Sequence, residues 1–179
     1  MSREIILLAH NVRSLWNVGS FFRTCDAFHI QKIYLTGYTG HPPRKEITKT
    51  AIGAEEFVPW EHHEDPIPVV NTLKKDGWRI VALEQTNDAI PLEEFPLPFK
   101  GEGQGEGFQK ILLIVGHELT GVPDSLLELS DTIVEIPMFG RKESLNVAVA
   151  AGIALYHIHT CHGELDEPYT HGHPSSGSG

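Results

Sequence analysis

Short apolar runs alternate along this chain with stretches of helical periodicity. Residues 5–9 (IILLA), 32–36 (KIYLT), 79–84 (RIVALE), 111–115 (ILLIV) and 132–136 (TIVEI) are short and mostly apolar, several of them rich in β-branched residues, and each is bounded by polar or turn-forming positions. They read as buried strands, and residues 56–60 as a weaker one. Between and after them, residues 18–28, 67–76, 123–129 and 144–159 carry the spacing of helices. Strands joined by helices predict an α/β fold: a mostly parallel sheet of five or six strands with helices on both faces. The helix at 144–159 is apolar nearly all round and rich in small residues, so it needs cover on several sides, from the core or from another subunit.

Two segments break the pattern. Residues 91–109 hold three prolines and the run GEGQGEG, and read as a flexible insertion. The glycines do not make a phosphate cradle, because Glu102 and Glu106 would repel phosphate and no Lys-Ser/Thr follows. Residues 163–179 are rich in Gly, Ser, Pro and His and read as a disordered tail after a single domain over 1–162. There is no apolar run of membrane-spanning length and no signal-peptide pattern. The two cysteines, Cys25 and Cys161, have no paired spacing, so a reducing, cytoplasmic setting is expected.

The formal net charge of −10 would weaken non-specific attraction to nucleic acid, so its distribution matters. Residues 1–54 hold seven Lys/Arg against three Asp/Glu, whereas residues 55–109 hold four against twelve. A local phosphate-binding face in the first third is compatible with that asymmetry, and Arg13, Arg44, Lys45 and Lys49 are its candidates.

In parallel sheets, ligands bind beyond the carboxyl ends of strands. Three loops stand at such ends: the segment from His10 containing Asn17 and Arg23, the segment Gly116-His117-Glu118, and the segment from Pro137 through Ser144-Leu145-Asn146. Asn17 or Ser20 is a plausible helix N-cap, and Arg23 has the alternative of an ion pair with Asp26. Glu118 has the alternative of a solvated strand-end carboxylate, and Ser144 that of a simple N-cap. Gly116 to Gly121 has P-loop spacing but lacks the Lys-Ser/Thr, and His117-Glu118 lacks the second histidine of a zinc-protease motif. His157, His159, Cys161 and His162 resemble metal ligands, yet only His157 and Cys161 share a helical face, so no metal is expected.

Taken together, the three loops resemble the three motifs of the SpoU (TrmH-like) family of SPOUT methyltransferases. Asn17 to Arg23 is similar to its Asn-x5-Arg element, Gly116-His117-Glu118 to its Gly-x-Glu element, and Ile136 to Gly140 with Ser144 to Val147 to its third. The resemblance implies a trefoil knot in the C-terminal part, homodimers packed through the last helix, and S-adenosylmethionine held in the knotted loops. It implies methylation of a ribose 2′-hydroxyl in tRNA or rRNA, with no metal and no membrane. Arg23, Asn17, Glu118, Ser144 and Asn146 are the implied catalytic set. Leu83, Gly116, Ile136, Met138 and Leu145 are the expected cofactor contacts. His117 stands where an asparagine is common. Arginine is protonated far above neutral pH, so Arg23 is expected to bind the developing alkoxide and an RNA phosphate rather than to serve as a free base. A SPOUT-fold RNA-binding protein without catalysis is the alternative. A Rossmann dehydrogenase is disfavoured because GxGxxG does not follow the first strand.

Overall fold

The computed structural model describes residues 4–95 and 110–160. In chain order the elements are β1 (Glu4–His10), α1 (Leu15–Ala27), β2 (Lys32–Thr36), α2 (Lys45–Ala51), β3 (Trp60–His63), α3 (Ile67–Lys75), β4 (Arg79–Leu83), β5 (Ile90–Pro91), β6 (Lys110–Val115), α4 (Asp124–Leu127), β7 (Thr132–Glu135) and α5 (Val147–Thr160). The seven strands form one sheet in the order β3-β2-β1-β6-β4-β7-β5, and every pairing is parallel.

Alternation along β1 explains the layers. Ile5, Leu7 and Ala9 join a core with Val18, Phe22 and Cys25 of α1, Ile47 of α2, and Ala154 and Leu155 of α5. Ile6 and Leu8 face the opposite way, into a core with Val70 and Leu73 of α3 and Leu126 of α4. Because side chains of a strand alternate between faces, one apolar run supplies both cores. Among the described residues, no helix is long and apolar enough to cross a membrane.

The structure corrects several expectations. The third strand runs Trp60–His63 rather than 56–60, because residues 54–56 coil into a single 3-10 turn and the chain extends only beside β2 at the sheet edge. Helix α2 has no counterpart in the hydrophobic pattern: only Ile47 and Ala51 of its seven residues are buried, too short a stripe to show as helical periodicity. The segment expected to be a flexible insertion begins with structure, since Ile90–Pro91 pairs with β7 while Leu92 and Phe95 are buried in the core. The glycine run and the tail at 163–179 lie outside the described residues.

α1 and α2 pack at unusually close range. A Cβ on Gly19 would run into the Thr50 hydroxyl and the Ile47 carbonyl, so glycine at that position lets the two backbones touch. α2 then ends on Ile52, which adopts the left-handed conformation (φ 54°, ψ 44°) while its side chain is 68% exposed. A β-branched residue is strained there, and no burial offsets the strain. Replacing Ile52 with glycine is expected to raise the melting temperature by about 2–4 °C, equivalent to about 1 kcal/mol. Thermal denaturation followed by circular dichroism checks this; an unchanged or lower midpoint would show that the Ile52 side chain holds something in place.

Candidate functional site

Three strand-end loops meet beyond the carboxyl edge of the sheet. At the end of β6, Glu118 accepts hydrogen bonds from the Arg13 amide (3.0 Å), the Ser14 amide (2.9 Å) and Asn17 Nδ2 (3.0 Å). Asn17 in turn accepts from Asn146 Nδ2 through its Oδ1 (3.1 Å). Asn146 Oδ1 accepts the amides of Ala148 (2.9 Å) and Val149 (3.3 Å), capping α5. One continuous chain of hydrogen bonds therefore links the first, second and third loops in the order Glu118, Asn17, Asn146.

Local chemistry sets each of these side chains. α1 begins earlier than expected: its N-cap is Ser14, whose Oγ accepts from the Asn17 amide at 3.4 Å, and not Asn17 or Ser20. Asn17 then lies in the first helical turn with its carboxamide free to bridge both neighbours. α5 begins later than expected, at Val147, and the cap is Asn146 rather than Ser144. Burial raises the Glu118 pKa, but the amide donations of Arg13 and Ser14 and the Asn17 carboxamide outweigh it and hold the carboxyl below its ordinary value.

Beside this chain lies an open cleft of about 220 Å³. All five residues expected to touch a cofactor, Leu83, Gly116, Ile136, Met138 and Leu145, line it, as do Glu118 and Ser144. Asn17 and Asn146 stand next to it through their bonds to Glu118 and to each other. Arg23 does not line it. Arg23 is exposed on α1 and forms no ion pair with Asp26 among those described. Arg13, Arg44, Lys45 and Lys49 are also exposed, and the last three line a shallow basin over α2 with Pro43 and Thr48. Of the histidine–cysteine group, Cys161 and His162 lie outside the described residues.

Two functional positions were missed in the sequence. Glu84, just past β4, accepts from the amides of Gln85 (2.9 Å) and Val122 (2.7 Å), so it moors the 116–122 loop to the neighbouring strand and lines the cleft. Its signal was the terminal glutamate of RIVALE, a carboxylate directly after a buried run. Gly121 faces it with φ +69°, and a Cβ there would collide with that carboxylate. His117 also does more than occupy a variable position. Its Nδ1 accepts the amides of Leu119 (3.0 Å) and Thr120 (3.1 Å), which leaves the ring proton to Nε2.

Known proteins share the sequence pattern and the fold. The sequence profile of the SpoU rRNA Methylase family matches residues 4–156. A tRNA (guanosine(18)-2′-O)-methyltransferase of Aquifex aeolicus is 30% identical over 155 residues, covering 86% of this chain and 68% of the relative. A 23S rRNA (guanosine(2553)-2′-O)-methyltransferase of Bacillus subtilis is 34% identical over 153 residues, covering 86% of this chain and 57% of the relative. Among solved structures, the A. aeolicus TrmH/SpoU tRNA modifying enzyme superposes with a TM-score of 0.74 at 29% identity, covering 88% of this chain and 75% of that one. The SpoU methyltransferase AviRb from Streptomyces viridochromogenes, in complex with AdoMet, superposes at 0.76 and 23% identity, covering 88% and 60%. The chain thus spans between somewhat over half and three quarters of the length of these relatives.

A carboxyl held below its ordinary pKa contributes stability that is present above the unfolded-state value, about 4.3, and is lost as pH falls through the folded value. The difference in unfolding free energy between the wild type and Glu118→Gln is therefore expected to be largest near neutral pH and to shrink below about pH 4. Urea titrations across that range measure it; a difference independent of pH would mean that Glu118 carries no net charge-assisted stabilisation.

Proposed function

This chain belongs to the SpoU rRNA methylase family, and from that membership we propose that it transfers the methyl group of S-adenosylmethionine to a ribose 2′-hydroxyl of tRNA or rRNA. The observation that carries the proposal is the chain from Glu118 through Asn17 to Asn146, which brings the three motif loops together against one cleft. The relatives named above supply the reaction and the two RNA classes.

The cleft suits that cofactor. Leu83, Val115, Ile136, Met138, Leu145 and Ala150 offer an apolar wall for a flat base, and the carboxylates of Glu84, Glu118 and Glu135 favour a cationic ligand. Thr86 Oγ1, one residue beyond the cleft-lining Gln85, is buried without a partner. When bound, S-adenosylmethionine supplies an electrophilic methyl on a sulfonium centre. The protein's share is alignment and charge. Asn17 and Asn146 fix each other's carboxamides, Glu118 fixes the backbone leading into α1, and Ser144 adds a hydroxyl on the cleft wall. With these groups held, a ribose oxygen entering the cleft meets preset dipoles and needs little reorganisation.

Arg23 enters as the cation for the RNA backbone and for charge developing on the attacking oxygen. It is exposed on α1 and immediately precedes Thr24, whose side chain meets Gly152 of α5. On α5, Val149, Ile153 and Tyr156 form an exposed apolar stripe at helical spacing (51%, 41% and 56% exposed). A homodimer covering that stripe accounts for it, and draws Arg23 toward the seam between subunits. Exposed Arg13, Arg44, Lys45 and Lys49 serve as phosphate contacts. A knotted C-terminal part belongs to the same reading, supported by β7 lying between β4 and β5, two strands consecutive in sequence. A cytosolic location follows from the cysteine usage.

The test is transfer of labelled methyl to total RNA, followed by mass-spectrometric mapping of 2′-O-methylated nucleosides. Arg23→Ala is expected to lose at least about a hundred-fold in rate while calorimetric affinity for S-adenosylmethionine stays unchanged; near-native turnover would remove Arg23 from the mechanism. Ile153→Glu is expected to convert a dimer into a monomer in sedimentation equilibrium. A wild type that is already monomeric would overturn the assembly.

A further inference from the structure

Where α1 meets α2, a half-exposed aromatic side chain lies under an ammonium group. Trp16 lies one residue before Asn17 in the first turn of α1, and its side chain is left 45% exposed. Its backbone is fixed from two directions: the Trp16 carbonyl accepts from Thr50 Oγ1 of α2 (2.9 Å) and from Ser20 Oγ (3.0 Å). Lys49 Nζ stands over the indole, 5.2 Å from the ring centroid. Lys49 also belongs to the basin formed with Pro43, Arg44, Lys45 and Thr48. Core packing gives no reason for so exposed an indole, and a chain of net charge −10 has few cations to gather on one short helix.

We propose that Trp16 is a stacking platform for an unpaired nucleobase of the RNA substrate, with the flanking phosphates held by Arg44, Lys45 and Lys49. This rests on the RNA-methylating reading above. Proteins recognise single-stranded RNA by stacking splayed bases on aromatic rings next to basic side chains. A base inside a duplex has no free face to offer. Because every base has a π-face, the platform positions the strand and does not select its letter. Trp16 adjoins Asn17, so a base stacked here lies at the cleft end of α1 and sets the register of the neighbouring ribose. The Lys49 ammonium, which now lies over the ring, has a phosphate as its alternative partner.

The experiment uses the full chain and two fluorescein-labelled probes, a single-stranded oligouridylate and a blunt RNA duplex of the same length, read by anisotropy over a range of salt. Trp16→Ala is expected to bind the single strand roughly 5- to 150-fold more weakly. Its plot of log affinity against log salt should run parallel to that of the wild type, because stacking releases no counterions. Trp16→Tyr should recover most of the affinity. The double variant Lys45→Gln/Lys49→Gln should instead flatten the salt slope. Equal affinity of Trp16→Ala and wild type overturns the platform, as does equal weakening toward the duplex. Dissociation of a dimer by Trp16→Ala in sedimentation also overturns it, by making Trp16 a subunit contact. The methyl-transfer assay separates this from the reading beneath it. Trp16-dependent binding without any methyl transfer sinks the enzyme and leaves the platform. Methyl transfer with Trp16-independent binding sinks only the platform.

Discussion

Glu118 accepts three hydrogen bonds from a segment that lies more than a hundred residues earlier in the chain. The loops that follow parallel strands are long excursions with few contacts of their own, and ordering them costs conformational entropy. An ionised acceptor with several oriented donors is among the stronger ways to offset that cost. Here the donors are two consecutive backbone amides and the carboxamide that also reaches Asn146. The position of α5, and with it the third loop, is thereby coupled to the end of β6. Were Glu118 neutral, the amides of Arg13 and Ser14 would face a weaker acceptor, and the coupling would loosen at its root.

Much of this arrangement was legible because the sheet is parallel and buried. Its longer strands announce themselves as apolar runs, and four of the five expected cofactor contacts, Leu83, Gly116, Ile136 and Met138, lie at strand ends or within three residues of them, whereas Leu145 is brought in by the start of α5. What escaped was decided by contacts of too small a scale. α2 buries only Ile47 and Ala51, and its polar sequence gives no stripe to count. The caps shifted because Ser14 and Asn146 compete with nearby Asn17, Ser20 and Ser144 for the same office, and only tertiary bonds decide between them. Glu84 shows in the sequence only as a carboxylate after a buried run, which does not reveal that an amide 38 residues later bonds to it. Arg23 illustrates the converse: a motif fixed its identity, while its direction depends on what surrounds α1.

Charge is divided in space as it is along the chain. Three glutamates border the cleft, whereas Arg44, Lys45 and Lys49 stand together at α2 and Arg13 just before α1. The two regions suit ligands of opposite sign, so a polyanion is repelled from the cleft except where its own cationic partner or a neutral ribose face is presented. An overall acidic protein can thus remain soluble and still present a restricted landing strip for phosphates.

The bare backbone at Gly19 has a mechanical consequence. With no side chain between them, α1 and α2 are welded into one piece, and the span between the lysine-bearing helix and the carboxamide of Asn17 becomes a fixed gauge. On the reading proposed above, such a gauge would measure the RNA, since a strand touching both ends at once needs a sugar-phosphate repeat that fits the set interval. On that reading, divergence of the residues at its two ends would alter how tightly an RNA is gripped, whereas a change in the weld would alter how far along the strand the reacting sugar falls.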